Sequence, residues 1–271
     1  VKDLVAKCRK TFSQSSIDKR TSYFAGFFSD DLVVHRLQDG AWLSSEQIEE
    51  LLRDFSSDRY ADYFERREKG WRHAPARIDL ILSQGFKRGL KWRGVPLGKT
   101  CWDICIYQQL LQDLRSRTLI EIGTGLGGSA LFFLDHCRMF GLDTQIITLD
   151  INVKDVSRTV RSEEGIEFIG GDIAQISKLL PAKRLRQLPH PWLVVEDRHV
   201  QIPLIVRHMT ASMAKGDYLI IEDIGFWPDG GREVAQALGR LPKKSLMVDT
   251  HYTDLFGRNA TCSPDMILRR M

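Results

Sequence analysis

The 271-residue chain predicts an α/β fold: a doubly wound, mostly parallel seven-stranded sheet with an N-terminal mainly helical extension. Three observations carry this expectation. Short apolar runs alternate with helical stretches from residue 91 onward, the pattern of parallel strands joined by crossover helices. A glycine-rich turn follows the first long run, in Thr118-Leu-Ile-Glu-Ile-Gly-Thr-Gly-Leu-Gly-Gly-Ser-Ala130, giving strand, turn and helix in that order. Acidic residues then end one strand after another, on the edge where open α/β sheets bind ligands.

Residues 1–90 are richer in charge and lack long β runs, so they read as a segment appended to a domain over 91–271. Within them, residues 32–37 and 41–43 flank Asp39-Gly40 as a hairpin would. Ser44-x-x-Gln47 resembles a capping box, and Ile48, Leu51, Leu52 and Phe55 follow at helical spacing, predicting a helix over 45–55. Tyr60, Tyr63, Phe64 and Trp71 interleave with Arg59, Arg66, Arg67 and Arg72. Aromatics so spaced point to packing against the next domain rather than to a binding surface. Beyond Trp92-Arg-Gly-Val-Pro-Leu-Gly-Lys-Thr100 a helix is predicted over 102–114, then the central strand. Further strands are predicted at 145–149, 166–169, 192–195, 218–221, 245–248 and 266–269, with 181–191 as a long irregular connector.

Composition narrows the function classes. The formal charge is +4, from 39 basic and 35 acidic side chains spread along the chain, which argues for neither a nucleic-acid nor a membrane partner. Basic clusters such as Lys183-Arg-Leu-Arg186 read as solvated helix faces. The five cysteines (Cys8, Cys101, Cys105, Cys137, Cys262) form no CxxC pair and read as reduced core thiols of a cytoplasmic protein. No apolar run approaches the roughly 20 residues that cross a bilayer, and no signal-peptide pattern opens the chain. It begins with Val1, which points to a start further upstream.

Two cofactor classes fit the glycine turn. Gly123, Gly125 and Gly128 satisfy GxGxxG, and Asp150 lies where a ribose-binding acid is expected, which suits NAD. With Glu121 the same residues satisfy the E-x-G-x-G-x-G pattern of class I S-adenosylmethionine (SAM) methyltransferases. The loop alone does not choose between them. Glu121, Gly123, Thr124, Gly125, Gly127 and Ser129 are the candidate cofactor residues of this segment, with Asp150 for the ribose diol and Asp172 for the adenine amino group.

The later strand ends, Glu196-Asp197 and Glu222-Asp223, need a further explanation. If those strands are neighbours, about 5 Å apart, Glu196, Glu222 and Asp223 form three hard oxygen ligands suited to Mg²⁺. Such an ion offsets the repulsion among carboxylates and can grip a substrate diol. The plainer alternative is that these acids cap helices or pair with Arg198, Arg207 or Arg232. His199, three residues past Glu196, is the candidate general base. His251 and Tyr252 are weaker candidates without acidic partners in sequence reach.

At Trp92-Arg-Gly-Val-Pro-Leu-Gly-Lys-Thr100, Asp103-x-x-x-Tyr107-Gln-Gln-Leu-Leu111 and Leu119 through Ala130, the chain resembles the cephalosporin hydroxylase and rhamnosyl or macrolide sugar O-methyltransferase family. The resemblance spans about residues 91–271 and is tightest in its first forty residues. It tips the cofactor from NAD to SAM and implies a Rossmann-like fold. It also implies Mg²⁺-dependent methyl transfer to a sugar or related hydroxyl in bacterial secondary metabolism. The family's Asp-x-x-His falls on Glu196-Asp-Arg-His199, and its paired acids with a following aromatic fall on Glu222-Asp-Ile-Gly-Phe-Trp227. By resemblance, Glu196, Glu222 and Asp223 are metal ligands and His199 the base. The first ligand is Glu where the family usually has Asp, so Asp197 stands as an alternative. A small-molecule acceptor beside Phe226 and Trp227 and assembly into a homo-oligomer are expected. The rivals are an NAD-dependent oxidoreductase and a SAM-binding relative with different chemistry.

Overall fold

A computed structural model describes residues 59–68, 89–224, 230–256 and 259–271, all within the unit Asp58–Met271. The expected hairpin over 32–43 and helix over 45–55, with Cys8, Trp71, Arg72, Phe226 and Trp227, lie outside the described residues. The strands are β1 (Tyr60–Ala61), β2 (Lys91–Trp92), β3 (Val95–Pro96), β4 (Thr118–Ile122), β5 (Gln145–Asp150), β6 (Ile166–Gly170), β7 (Trp192–Glu196), β8 (Tyr218–Ile221), β9 (Leu246–Asp249) and β10 (Ile267–Arg270). The helices are α1 (Tyr63–Glu68), α2 (Cys101–Leu114), α3 (Gly128–Met139), α4 (Arg158–Arg161), α5 (Ile176–Leu179), α6 (Ala182–Leu185), α7 (Ile202–Thr210), α8 (Gly230–Gly239) and α9 (Thr250–Thr253).

The main sheet runs β1-β9-β10-β8-β7-β4-β5-β6. Strands β8, β7, β4, β5 and β6 are parallel neighbours, while β10 is antiparallel to both β8 and β9. This is the expected Rossmann-like, mostly parallel sheet with one strand more than the seven expected among the described residues. The addition is β1, whose Tyr60 and Ala61 pair antiparallel with Asp249 and Val248. Two residues carry no readable periodicity, so the sequence could not announce it. The chain leaves β4 toward β5 and β6 on one side and returns to β7 on the other, which makes the β4/β7 boundary a topological switch point.

The central strands are apolar on both faces because helices cover both. Ile120, Ile147, Val194 and Leu219 face one core with Ile202, Ile205 and Val234, whereas Leu119, Ile146, Leu193 and Ile220 face the other with Leu110, Leu111, Phe132 and Phe133. Of the cysteines expected in the core, Cys137 and Cys262 are buried, but Cys105 is exposed. It lies on the outer face of α2, where the sequence signalled only its apolar neighbours. The aromatics expected to pack divide likewise: Tyr63 is 2% exposed, whereas Phe64 remains 40% exposed. No helix among the described residues is long and apolar enough to cross a membrane.

Candidate active site

The site is built at the switch point by three segments. The first is the small sheet β2–β3, a hairpin whose two turn residues, Arg93 and Gly94, both adopt positive φ, as a tight two-residue turn requires. The hydrogen bond from Leu97 N–H to Leu90 O (2.7 Å) closes it, and that from Trp92 Nε1 to Asp135 (2.9 Å) fixes it against α3. The chain then delivers Lys99 inward and starts α2, where Thr100 caps by accepting from the N–H of Asp103 at 3.2 Å.

The second segment is the glycine turn between β4 and α3. Gly123 adopts φ +112, and a Cβ there would meet the backbone oxygen of Asp197 at 2.6 Å. A Cβ on Gly128 would stand 1.9 Å from the backbone oxygen of Pro96. These two glycines are therefore required by close backbone approach, one toward β7 and one toward the hairpin. Between them opens a cleft of about 330 Å³ lined by Pro96, Leu97 and Gly98, by Gly123 to Leu126, by Gly128 and Ser129, and by Asp150, Asp197 and Arg198. Asp150 Oδ2 accepts from Gly125 N–H at 3.0 Å and ties the end of β5 to the turn. A smaller cavity of about 40 Å³ adjoins it through Asp150 and Arg198 and is lined by Ile151, Asp172 and Val200.

The third segment is the carboxyl ends of β7 and β8, where Asp197, His199 and Asp223 each bring one ligand atom within 4.8 Å of the others. His199 Nε2 stands 3.4 Å from Asp197 Oδ1 and 3.7 Å from Asp223 Oδ2. Both His199 and Asp223 are in the left-handed region, at φ 60 and 54. That conformation costs a non-glycine residue on the order of 1 kcal/mol, and strain of this kind gathers at functional sites. Burial lowers the His199 pKa below its ordinary value, helped by the nearby Lys99 charge, which favours the neutral ring. Burial and then the Glu222 charge push Asp223 up to about 7. Two carboxylates and an imidazole so placed form a donor set that fits a divalent cation.

Lys99 lies behind this cluster, 2% exposed. Its ammonium donates to Asp197 Oδ2 at 2.5 Å and to Glu222 Oε2 at 2.6 Å. The other Glu222 oxygen accepts from the buried Tyr107 hydroxyl. Burial opposes the charge on Lys99, but the two carboxylates outweigh it and hold its pKa well above the usual lysine value.

The profile of the rhamnosyl O-methyltransferase/CmcI family matches residues 84–230, more than half of the chain and all three segments. The chain belongs to that family. A rhamnosyl O-methyltransferase of Mycobacterium bovis is 27% identical over 135 residues, covering 47% of this chain and 55% of that protein. The Mycobacterium leprae rhamnosyl O-methyltransferase is 28% identical over 136 residues, covering 49% and 59%. The chain thus spans little more than half the length of the curated relatives it matches. A CmcI structure with SAH matches at 28% identity and a TM-score of 0.56, over 67% of this chain and 82% of that one. A CmcI structure with Mg and SAM matches in fold, at 24% identity and a TM-score of 0.59, over 82% and 95%.

Within this family architecture the predicted residues separate. Gly123, Thr124, Gly125, Ser129 and Asp150 line the large cleft and Asp172 the small one. Gly127 instead caps α3 in the left-handed conformation. Glu121 is fully buried behind the turn, where it accepts from the Thr148 hydroxyl at 2.6 Å. Of the expected ligand set Glu196, Glu222 and Asp223, only Asp223 belongs to the cluster. Glu196 still lies within β7, paired with Ile122 and Ile221, and its side chain is fully buried. Its Oε1 accepts from Arg198 N–H at 3.0 Å and His199 N–H at 2.8 Å, so it shapes the loop that carries the cluster. Glu222 is engaged by Lys99 and Tyr107. Asp197, the alternative to Glu196, is the acid of this strand end that lies in the cluster. Tyr252 is buried, with its hydroxyl donating to Asp113 at 2.9 Å, and serves packing. Lys99 and Tyr107 were missed as site residues, although both stand inside the motifs that carry the resemblance.

Proposed function

We propose that the chain is a SAM- and Mg²⁺-dependent O-methyltransferase acting on a hydroxyl of a sugar or glycosylated natural product in secondary metabolism. The observation that carries this reading is the double duty of Asp197: it lines the glycine-turn cleft, and it belongs to the cluster with His199 and Asp223. A nucleoside cofactor in the cleft and an ion on the cluster would therefore share one wall.

The residues divide the work by their chemistry. Asp150, beside the exposed amide of Gly125, would accept from the ribose diol, and Asp172, Ile151 and Val200 would hold the adenine end. The turn residues that line the cleft, Gly123 to Leu126 with Gly128 and Ser129, would hold the methionine part. Mg²⁺ prefers oxygen ligands, so Asp197 and Asp223 would hold it and leave the imidazole of His199 as the base. When bound, the ion supplies stabilisation of negative charge developing on the acceptor oxygen. His199, whose pKa burial and the Lys99 charge lower, would accept the proton of the acceptor hydroxyl as the methyl group passes from the sulfonium to that oxygen. Holding both partners in that geometry contributes much of the rate.

Calorimetric titration with SAM and separately with NADH tests the cofactor assignment. Binding of SAM and not NADH is expected, and the reverse result sinks it. His199→Ala should keep SAM affinity and lose turnover on a panel of glycosides, and EDTA should abolish turnover. Full activity in either experiment removes the corresponding role.

A further inference from the structure

We propose that Arg66 is a positioning residue: through the loop over 259–266 it holds the backbone of Asp223, and with it one acid of the cluster, in place. The inference rests on reading that cluster as the working site and extends it to α1, a helix to which that reading gives no part. The contacts form a continuous chain. Asp223 N–H donates to Cys262 O at 2.8 Å, a bond made by a residue at φ 54. Cys262 is held in turn by Asp103, whose Oδ1 accepts from Cys262 N–H at 3.1 Å and from the Thr261 hydroxyl at 2.6 Å. Asn259 Oδ1 accepts from Asp265 N–H at 2.9 Å, and Asp254 Oδ1 accepts from Asn259 N–H at 3.0 Å. The Arg66 guanidinium then joins Asp254, upstream of the loop, to Asp265 near its end. Its Nη1 and Nη2 each donate to Asp254 at 3.0 Å, and its Nε donates to Asp265.

Two features make the loop depend on this clamp. Asn259, Thr261, Ser263 and Asp265 are all buried, and a buried stretch so rich in polar side chains keeps its place through hydrogen bonds rather than apolar packing. Asn259 and Asp265 adopt φ 57 and 56, and such backbone persists only where the surroundings over-determine it. Arg66 is itself buried, and its removal would leave the carboxylates of Asp254 and Asp265 buried without a counter-charge. Burial opposes its charge, but the two carboxylates outweigh that cost and hold its pKa above the usual arginine value. An arginine suits the position because its planar fork presents Nε and both Nη nitrogens in fixed directions, enough to serve two carboxylates at once. Arg67, next along α1, donates to Gly231 O at 3.0 Å, so the same helix also holds the start of α8, the helix that follows Asp223 in the chain. Both α1 and the loop lie outside residues 84–230, which match the family profile.

Amide hydrogen exchange followed by nuclear magnetic resonance reads the clamp without metal or acceptor. In Arg66→Ala the Asp223 amide should exchange at least about tenfold faster than in wild type, while the Asp197 amide, bonded to Ile122 O at 2.8 Å, keeps its wild-type rate. Arg59→Ala, which removes the ion pair of the same segment with Asp249 at 3.1 Å, is the control and should leave both rates unchanged. Mn²⁺ affinity, from electron paramagnetic resonance titrations, should fall by at least about tenfold in Arg66→Ala. Calorimetric SAM affinity should stay at the wild-type value, because the loop lines neither cavity. A merely structural role for Arg66 would instead speed both amides and weaken both ligands together. The wild-type rate at Asp223 in Arg66→Ala overturns the proposal, as do a parallel rise at Asp197, an equal rise in Arg59→Ala, or faster exchange with unchanged Mn²⁺ affinity. Should Arg66→Ala fail to fold, Arg66→Lys decides, since it keeps the charge but loses the three-nitrogen fork: faster exchange at Asp223 alone supports the proposal, and the wild-type rate refutes it. Absence of Mn²⁺ binding by wild type removes the metal reading, and the exchange rates then decide this inference by themselves.

Discussion

Replacing Gly128 by alanine tests whether the hairpin and the glycine turn are one device. The added Cβ would lie 1.9 Å from Pro96 O, 2.7 Å from Pro96 C and 3.0 Å from the Cα of Leu97, all backbone atoms. Carbon and oxygen rest at about 3.3 Å or more, so the Pro96 carbonyl must retreat by about 1.4 Å. It has little freedom to do so, because Leu97 is bonded to Leu90 at 2.7 Å and Trp92 packs edge-on against Phe132 at 5.2 Å. Overpacking of this kind costs about 1–3 kcal/mol, and a backbone obstacle places Gly128→Ala near the upper half of that range. For a chain of this size 2 kcal/mol lowers Tm by about 4–8 °C. Since Pro96, Leu97 and Gly98 also line the cleft, SAM affinity should fall by about tenfold, equivalent to 1.4 kcal/mol. Thermal unfolding by circular dichroism and SAM calorimetry measure the two effects. Leu126→Ala, on the same turn but 46% exposed, is the control and should change stability by less than about 0.5 kcal/mol. Wild-type Tm and SAM affinity in Gly128→Ala would refute the reasoning.

Asp223→Asn should weaken Mn²⁺ binding by at least about tenfold while SAM affinity changes little, since Asp223 does not line the cleft. Equal loss of both ligands would place Asp223 in the cofactor pocket instead. Glu121 sets a pH dependence of stability. Burial pushes its pKa from 4.5 up to about 7, so the folded state holds a proton that the unfolded chain releases at lower pH. The sign is therefore a stability present below pH 4.5 and lost as pH rises toward 7, by on the order of 3 kcal/mol. Urea unfolding of the cofactor-free protein between pH 5 and 8 should show Glu121→Gln losing less stability with pH than wild type. Parallel pH profiles for the two proteins would contradict this.

Most of the sheet was legible because strands buried on both faces are continuous apolar runs. Those containing Leu119, Ile146, Leu193 and Leu219 could be placed by composition alone. The cleft was legible for a different reason. Gly123 and Gly128 stand where no Cβ fits, a backbone requirement that leaves its mark on residue identity. Which acid joins His199 and Asp223 was not legible, because Glu196 and Asp197 are adjacent acids at a strand end and side chains alternate between faces. Moving the end of β7 by one residue exchanges which carboxylate is buried and which meets the cleft.

The amino-acid order by itself determined the strand and helix succession, the glycine turn and the place of Asp150 at the end of β5 beside that turn, all of which depend on neighbours close in sequence. Only the tertiary structure decided the electrostatics of the site. Lys99 meets Asp197 and Glu222 across 98 and 123 residues of chain. The order β8-β7-β4 brings those carboxyl ends together, and the β2–β3 hairpin against α3 carries the lysine to them. A charge held at 2.5 Å by packing from three separate segments has no local signature, because each segment is satisfied only in the presence of the others.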